Sequence, residues 1–575
     1  MTKQPYHKKF YHNHKSINSN ILIWLSIIFA NIFFTANNFY NNCLAQNNND
    51  ENITTRNDVK IQNAETQNVE TQNDITPRNY FESGKTFKAV CRIDEIMLVS
   101  LKRHNLEPAP VCSDEVFIRR VFLDVTGALP TQQEVRKFLA DKSANKRTKI
   151  INTLLERDEF VDYCAMKWSD LLRIKAEFPI NLWPNGAATY YNWVHDAIRT
   201  NMPYDKFAKT LLTANGSNFR DGAANFYRAV PSKDPETLAE FTAQTFLGTR
   251  IATWTPQERK NIANFFSRIK YKETSQWKEE IVFWSHIPLD SPEAILPDNS
   301  VTKIPDNKDP REVFAEWLTS PKNKNFNQNI TNRIWYWLLG FGIVHEPDDF
   351  RNDNSPVHPE LLDYLCDELV KSKYNLKHIY RIILNSNIYQ QSSIPKIPKK
   401  QNDRIELFDS YPIRRIEAEV LQDALSQIFD EPVVYQSEVP EPFTRIPSRY
   451  RTVVLPDTSV TSSFLEMFGR ATRDTGLESD RNNNITESQQ LFMLNSTEIN
   501  NWVKRYAAKL KFNKNRNERK KLLDSIWLAI LSRYPTETEL KIIENDFLKK
   551  NIPSQQKIQD LIWAIINSKE FLCKH

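Results

Sequence analysis

The segment DEVFIRRVFLDVTGALPTQQEVRKFL, residues 114–139, reads as two helices and the turn between them. Asp114 stands where an N-cap is needed for a helix over 115–125, with Val116, Phe117, Val121 and Phe122 at helical spacing on its buried side. Gly127 ends that helix, and Pro130-Thr131 opens another that runs to Leu139. The same pattern continues outward. Helices are predicted over 92–104, 146–156, 159–174, 187–200, 235–249 and 256–269. After a Pro-, Asp- and Asn-rich stretch at 291–310, they resume over 311–319, 328–339, 359–372, 376–386 and 415–429. Residues 430–475 carry Pro and β-branched residues, and 451–455 reads as a short strand. Helices return over 486–510, 520–532, 536–549 and 554–568. The fold class is therefore mainly α and multi-helical, with two to three helical units and short β elements around 430–475.

Composition agrees. The 575 residues contain only 10 Gly, where average usage of about 7% would give roughly 40. So few glycines suit helices joined by Pro and Asn turns, and do not suit Rossmann loops or β-barrels. Hydrophobic residues make up 40% and aromatics 11%, enough for real cores, so global disorder is excluded. Lys and Arg number 76 against 71 Asp and Glu, a net charge of +5. A near-neutral chain is a poor nucleic-acid binder. The basic run 504–521 reads as a solvated helix face or a linker. Six Cys form no disulfide framework, although Cys91 and Cys112 either pair or remain separate thiols.

The amino terminus reads as an address. Residues 1–20 are basic, 21–34 (ILIWLSIIFANIFF) are apolar, and Cys43-Leu44-Ala45 offers a small-residue cleavage site. Fourteen residues rise about 21 Å as a helix, short of the roughly 30 Å bilayer core. Residues 1–45 are expected to be a signal peptide, the alternative being an uncleaved anchor that is the chain's one link to a membrane. Residues 46–80 are a polar Asn/Gln-rich linker expected to be disordered. A first helical domain is expected over 85–290, a linker over 291–310 and a second helical domain over 311–575. Pro130-Thr131 with Glu134 and Pro535-Thr536 with Glu539 also echo one another, as a duplicated unit or as two instances of a common helix start.

Standard chemical signatures are missing. There is no phosphate-binding glycine loop, no H-E-x-x-H, no G-x-S-x-G and no C-x-x-C-H. Three clusters remain. The first joins Trp168, Asp170 and Arg173, whose spacing allows a helical ion pair between Asp170 and Arg173, to Asn181, Trp183 and Asn185, either as a polar-aromatic floor of the kind a sugar site requires or as a buried structural network. The second contains Asn332, Arg333, Trp335, Asp348, Asp349 and His358. Its oxygen donors invite a hard cation, but the spacing is not that of a calcium loop, and His358 before Pro359 fits a helix start better, so no metal is expected. The third contains Arg470, Arg473, Glu478, Asp480 and Arg481, either an acidic-ligand site or an internal salt-bridge network.

The long motifs IDEIML, FIRRVFLDVTGALPT, NRIWYWLLGFGIV, RRIEAEVLQDAL and LFMLNS stand in one order over about residues 90–575. By them the chain resembles the planctomycete-type domain pair of unknown function, found in exported proteins of Planctomycetes, Verrucomicrobia and Lentisphaerae and often associated with cytochrome c-like modules. Many such relatives have F-L-G-V-R-x-x-C-x-x-C-H and C-E-C-E-R. Here Phe246-Leu247-Gly248-Thr249-Arg250 runs into Ile251-Ala252-Thr253-Trp254, and Leu477-Glu478-Ser479-Asp480-Arg481 keeps the acids and Arg without the thiols. Covalent haem needs both thiols and an axial His, so no cofactor is expected. The resemblance implies an exported, periplasmic or extracellular envelope protein. Its Trp and Asn clusters point to a carbohydrate or an envelope protein as partner. The alternative is a hydrolase using acid pairs such as Asp348/Asp349 or Glu478/Asp480.

Overall fold

Helix α1 (Arg92–Arg103) leads into α2 (Asp114–Val125), α3 (Gln132–Ala140), α4 (Lys146–Leu155) and α5 (Asp158–Leu171). A computed structural model describes residues 81–575 apart from 287–292, 398–404, several positions within 438–448, 512–514 and 548–552. The expected signal peptide and linker lie outside the described residues. Ser113 rather than Asp114 caps α2, accepting the Val116 N–H at 3.2 Å, which frees Asp114 to pair with Lys146 and Arg147. Thr131 and Glu134 form a reciprocal capping box at the start of α3. Thr536 and Glu539 exchange the same two bonds at the other end of the chain.

Helices α6 (Trp183–Arg199) and α7 (Tyr204–Leu212) precede the short strand β1 (Gly216–Ser217), followed by α8 (Pro235–Leu247) and α9 (Pro256–Asn264). The helix expected over 256–269 stops at Asn264, because Ile269 begins a strand. β2 (Ile269–Glu273) and β3 (Glu280–Trp284) form an antiparallel hairpin in register Ile269↔Trp284, and β1 adds to β3. A second small ribbon, β4 (Glu293–Ile295) with β5 (Val301–Lys303), follows.

The next helices are α10 (Pro310–Leu318), α11 (Lys324–Leu339), α12 (Pro359–Lys371), α13 (Leu376–Leu384) and α14 (Asn387–Gln390). Strand β6 (Arg414–Arg415) precedes α15 (Ala418–Phe429), and β7 (Gln436–Ser437) pairs with β8 (Val460–Thr461). The strand expected at 451–455 is a 3-10 turn, Thr452–Val454. Asp423 accepts the N–H groups of Thr452 and Val453 that a ladder would need. Helices α16 (Ser463–Met467), α17 (Glu487–Asn495), α18 (Thr497–Lys509), α19 (Arg516–Ile530), α20 (Glu537–Phe547), α21 (Ser554–Ile566) and α22 (Lys569–Leu572) lead to β9 (Cys573–Lys574), which pairs with β6. The architecture is mainly α. No helix among the described residues is long and apolar enough to cross a membrane.

Two apolar clusters fill this compact unit. One takes residues from Ile93 to Tyr411 with Leu528, and the other takes Ile416 to Phe571 with Leu123, Leu129, Tyr163 and Met166. α2 and α5 contribute to both: Phe122 faces one cluster and Leu123 the other, as do Trp168 and Met166. Every residue of α2 from Val116 to Val125 is buried, the all-round burial of a helix used as a shared wall. Its charged members reach distant backbone and side chains. Arg119 donates to the carbonyls of Ile530 and Phe571, and Arg120 to those of Tyr389 and Gln391. Asp124 accepts from Tyr389, Tyr411 and Arg414, at 2.7–2.9 Å, and lies 3.2 Å from Lys574. Glu417 answers Lys574 at 2.8 Å, Lys167 at 3.1 Å and the Tyr163 hydroxyl at 2.9 Å. Burial alone would raise the Glu417 carboxyl, but Lys167, Lys574 and Arg414 hold it well below the ordinary range.

Candidate functional site

The third cluster and half of the first are one buried network. Asp170, on α5, receives Arg473 Nε at 2.9 Å and Arg481 Nη2 at 2.6 Å, and Arg481 also forks onto Glu419. Burial opposes the Asp170 charge, yet Arg481 and Arg473 together keep its carboxyl below the ordinary range. The expected Asp170–Arg173 pair does not form. Arg173 leaves the helix at φ +53° and donates to the Thr475 carbonyl through Nε and Nη2. Without a paired carboxylate, burial lowers the Arg173 guanidinium to about 10. Arg470 donates to the Val460 carbonyl, and Asp480 accepts from Thr472 Oγ1 and the Arg473 N–H.

The second cluster joins the same network through Glu478. Its backbone N–H donates to Asp348 at 2.6 Å, and its carboxyl accepts Trp337 Nε1 at 2.6 Å. Asp348 in turn pairs with Arg333 at 2.6 Å. Arg333 also donates to the carbonyls of Gln244 and Thr245, unsatisfied acceptors in the last turn of α8, where a cation is favoured. Asn332 clamps the backbone of Val344 with both ends of its amide, and Trp335 is fully buried with its ring edge-on to Phe408 at 5.3 Å. His358 stands at the N-cap position of α12 and makes no side-chain capping bond. Burial lowers its ring to about 4, so it is neutral; Nε2 donates to the Glu406 carbonyl and Nδ1 accepts from Ser100. Asp349 pairs with Arg351 at 3.0 Å. Among the described residues no group of three His, Cys, Asp or Glu side chains is placed to hold a metal ion.

Trp168 belongs to a different place. With Phe160, Tyr204, Phe207, Trp337 and Tyr380 it lines an aromatic cavity of about 40 Å³. That is room for a few waters and far below a sugar-sized site.

Trp183, Asn181 and Asn185 lie elsewhere, on an exposed shelf at the start of α6. Three residues there have left-handed backbone: Asn181 at φ +60°, Trp183 at +66° and Lys278 at +64°. The Trp183 N–H donates to the Ala176 carbonyl and that of Leu182 to Lys175, which pins the loop before α6. Opposite stands the β2–β3 turn. The Trp277 indole is 59% exposed and meets Trp183 edge-to-face at 4.8 Å, and Lys278 Nζ lies 5.6 Å from both ring centroids. Asn181 and Asn185 present exposed amides beside Trp183, and Phe178 in the same loop is 80% exposed. Helix α6 has no side-chain cap and no acid in its first turn.

The turn is held from below. Fully buried Asn218 donates to the Lys278 carbonyl at 3.1 Å and accepts the Glu280 N–H at 2.9 Å. Glu279 accepts the hydroxyls of Ser217 at 2.6 Å and Thr274 at 2.7 Å, which hold its carboxyl below the ordinary range. Glu280 takes Arg228 at 2.9 Å and Lys233 at 2.6 Å.

Sequence reasoning groups Trp183, Asn181 and Asn185 with Trp168, Asp170 and Arg173; the first three share the shelf, and the others are buried elsewhere. It passed over Trp277, Lys278 and Asn218. The signal was present: a lone Trp in a polar turn between the alternating runs IKYKE and EIVFW. Cys91 and Cys112 are separate free thiols. The stretch Ile251–Thr253 is a 3-10 turn, and the chain from Phe246 to Pro256 holds neither thiol nor imidazole, so covalent haem does not fit there.

Two family models match the chain. PSCyt2, a protein of unknown function (DUF1549), matches residues 92–273, and PSD1, a protein of unknown function (DUF1553), matches residues 310–547. No curated protein matches the chain, and no solved structure does.

Proposed function

We propose that this chain, which carries the planctomycete-type pair PSCyt2 and PSD1, is an exported envelope protein that binds carbohydrate on the Trp183–Trp277 shelf. The observation that carries the reading is Trp183 itself. A bulky residue in left-handed backbone costs on the order of 1–3 kcal/mol, and such strain persists where a surrounding frame imposes it, often at ligand clamps. Here it sets one indole against another that is 59% exposed. Indole faces take the C–H face of a pyranose, and the amides of Asn181 and Asn185 are suited to its hydroxyls. Export rests on the basic-then-apolar leader at 1–45.

The paired-carboxylate reading draws no comparable support. Asp348 and Asp349 each face an arginine, and Glu478 is committed to Trp337.

A glycan panel probed by isothermal titration with the full chain and with Trp277→Ala tests the proposal. At least one polysaccharide should bind, and the variant should lose at least tenfold in affinity with an unchanged thermal midpoint. Undiminished binding by Trp277→Ala, or no binding by the parent chain, would remove the shelf from consideration.

A further inference from the structure

We infer that the carbohydrate taken by this shelf is acidic, a polysaccharide carrying carboxylate or sulfate groups, and that Lys278 is the residue that selects it. The inference rests on the carbohydrate reading above and adds the charge of the ligand.

Lys278 is exposed, and its ammonium stands 5.6 Å from the centroids of both indoles, so any ring stacked on Trp277 lies beside it. Its position is fixed rather than incidental. The backbone is left-handed at φ +64°, Asn218 binds its carbonyl, and Glu279 and Glu280 beyond it are both anchored. Those anchors also engage the two neighbouring carboxylates away from it. Glu279 is occupied by Ser217 and Thr274, with Arg220 at 3.7 Å, and Glu280 by Arg228 and Lys233. Among the described residues no carboxylate forms an ion pair with Lys278. Arg220, 74% exposed in its side chain, adds a second cation at the same turn.

A neutral pyranose lying across the two indoles would cover the ammonium and strip part of its water without supplying a counter-charge, which is unfavourable. An anionic substituent on the same ring supplies that charge and a charge-assisted hydrogen bond. The aromatic pair therefore provides the general affinity and Lys278 the preference.

The test uses polymers that differ only in charge: polygalacturonate against its methyl ester, and a sulfated galactan against its desulfated form. Titration of the full chain should show at least one acidic polymer binding tenfold or more tightly than its neutral twin, with the preference screened by 0.5 M salt. Lys278→Gln should bring the twins level by weakening the acidic polymer, with the neutral polymer bound no more weakly than by the parent chain, and Lys278→Arg should restore the preference. The carboxylate and sulfate arms separate the two sources of charge. Equal affinity for the twins, or a preference that survives Lys278→Gln, overturns the inference while leaving the shelf standing, provided Trp277→Ala still abolishes binding. Failure of all four polymers while a neutral glycan of the panel binds overturns the inference alone, and failure of every glycan overturns both readings. Equal binding of poly-glutamate by Trp277→Ala and the parent chain would mark a simple charge effect and also overturn it.

Discussion

Glu478 is a carboxyl under opposing demands. Burial first, and the charge of Asp348 second, lift it from an ordinary 4.5 to about 7. Between those values the folded chain holds a proton that the unfolded chain has released. Stability attributable to this group is therefore greatest at low pH and falls as pH rises from about 4.5 through 7. Glu478→Gln keeps an acceptor for Trp337 and removes the titration. In urea unfolding at pH 8 the variant should be more stable than the parent by on the order of 1–3 kcal/mol, and at pH 5 the two should nearly coincide. Parallel pH slopes for the two proteins would contradict this assignment. The residues of this network are visible in the sequence as Arg and acid types, but their partners are not. Helical spacing pairs Asp170 with Arg173, whereas the burial of α5 on both sides turns Asp170 toward Arg473 and Arg481, 303 and 311 residues away.

Helix starts were the most legible elements, because a cap is local chemistry. Thr131 with Glu134 and Thr536 with Glu539 read directly as helix starts, and both pairs exchange capping bonds. Strands were less so. The 3-10 turn Thr452–Val454 has β-branched residues, and only the distant Asp423 determines that it does not pair. The β2–β3 hairpin carries a period-two pattern that a helical reading of the preceding segment overran. That hairpin depends on Asn218, whose amide spans Lys278 and Glu280. Asn218→Ala should loosen the turn at a cost of about 1–3 kcal/mol. Limited trypsin digestion should then cut at Lys278 at least tenfold faster, with the rest of the digestion pattern unchanged. A turn that resists cleavage as well as the parent would show that the shelf is held by other contacts.

At the scale of the whole molecule, α2 and α5 are walls common to both apolar clusters, and Asp124 on α2 is answered by Tyr389, Tyr411, Arg414 and Lys574. Two family matches in succession suggest two modules, but one cluster draws on both matched stretches and the other takes Leu123, Leu129, Tyr163 and Met166 from the first. Thermal unfolding of the full chain should give one transition, coincident by circular dichroism and by tryptophan fluorescence. A fragment ending at residue 300 should show no cooperative melt; a sharp one would refute the shared-wall account. The mainly helical class was legible from spacing and scarce glycine, and the joint use of two helices was not, since burial all round a helix looks like one apolar stripe when its arginines are read as surface. The separation between Asp170 and its arginines also sets a tempo. At 5–20 residues per second, a ribosome needs about 15–60 s to lay down the intervening chain. Closing a loop of that length costs about 5 kcal/mol in chain entropy by (3/2)RT ln n. During that interval the nascent polypeptide keeps Asp170 hydrated and without its arginines, a prolonged window in which chaperones can hold the chain before the helix that bears it is buried.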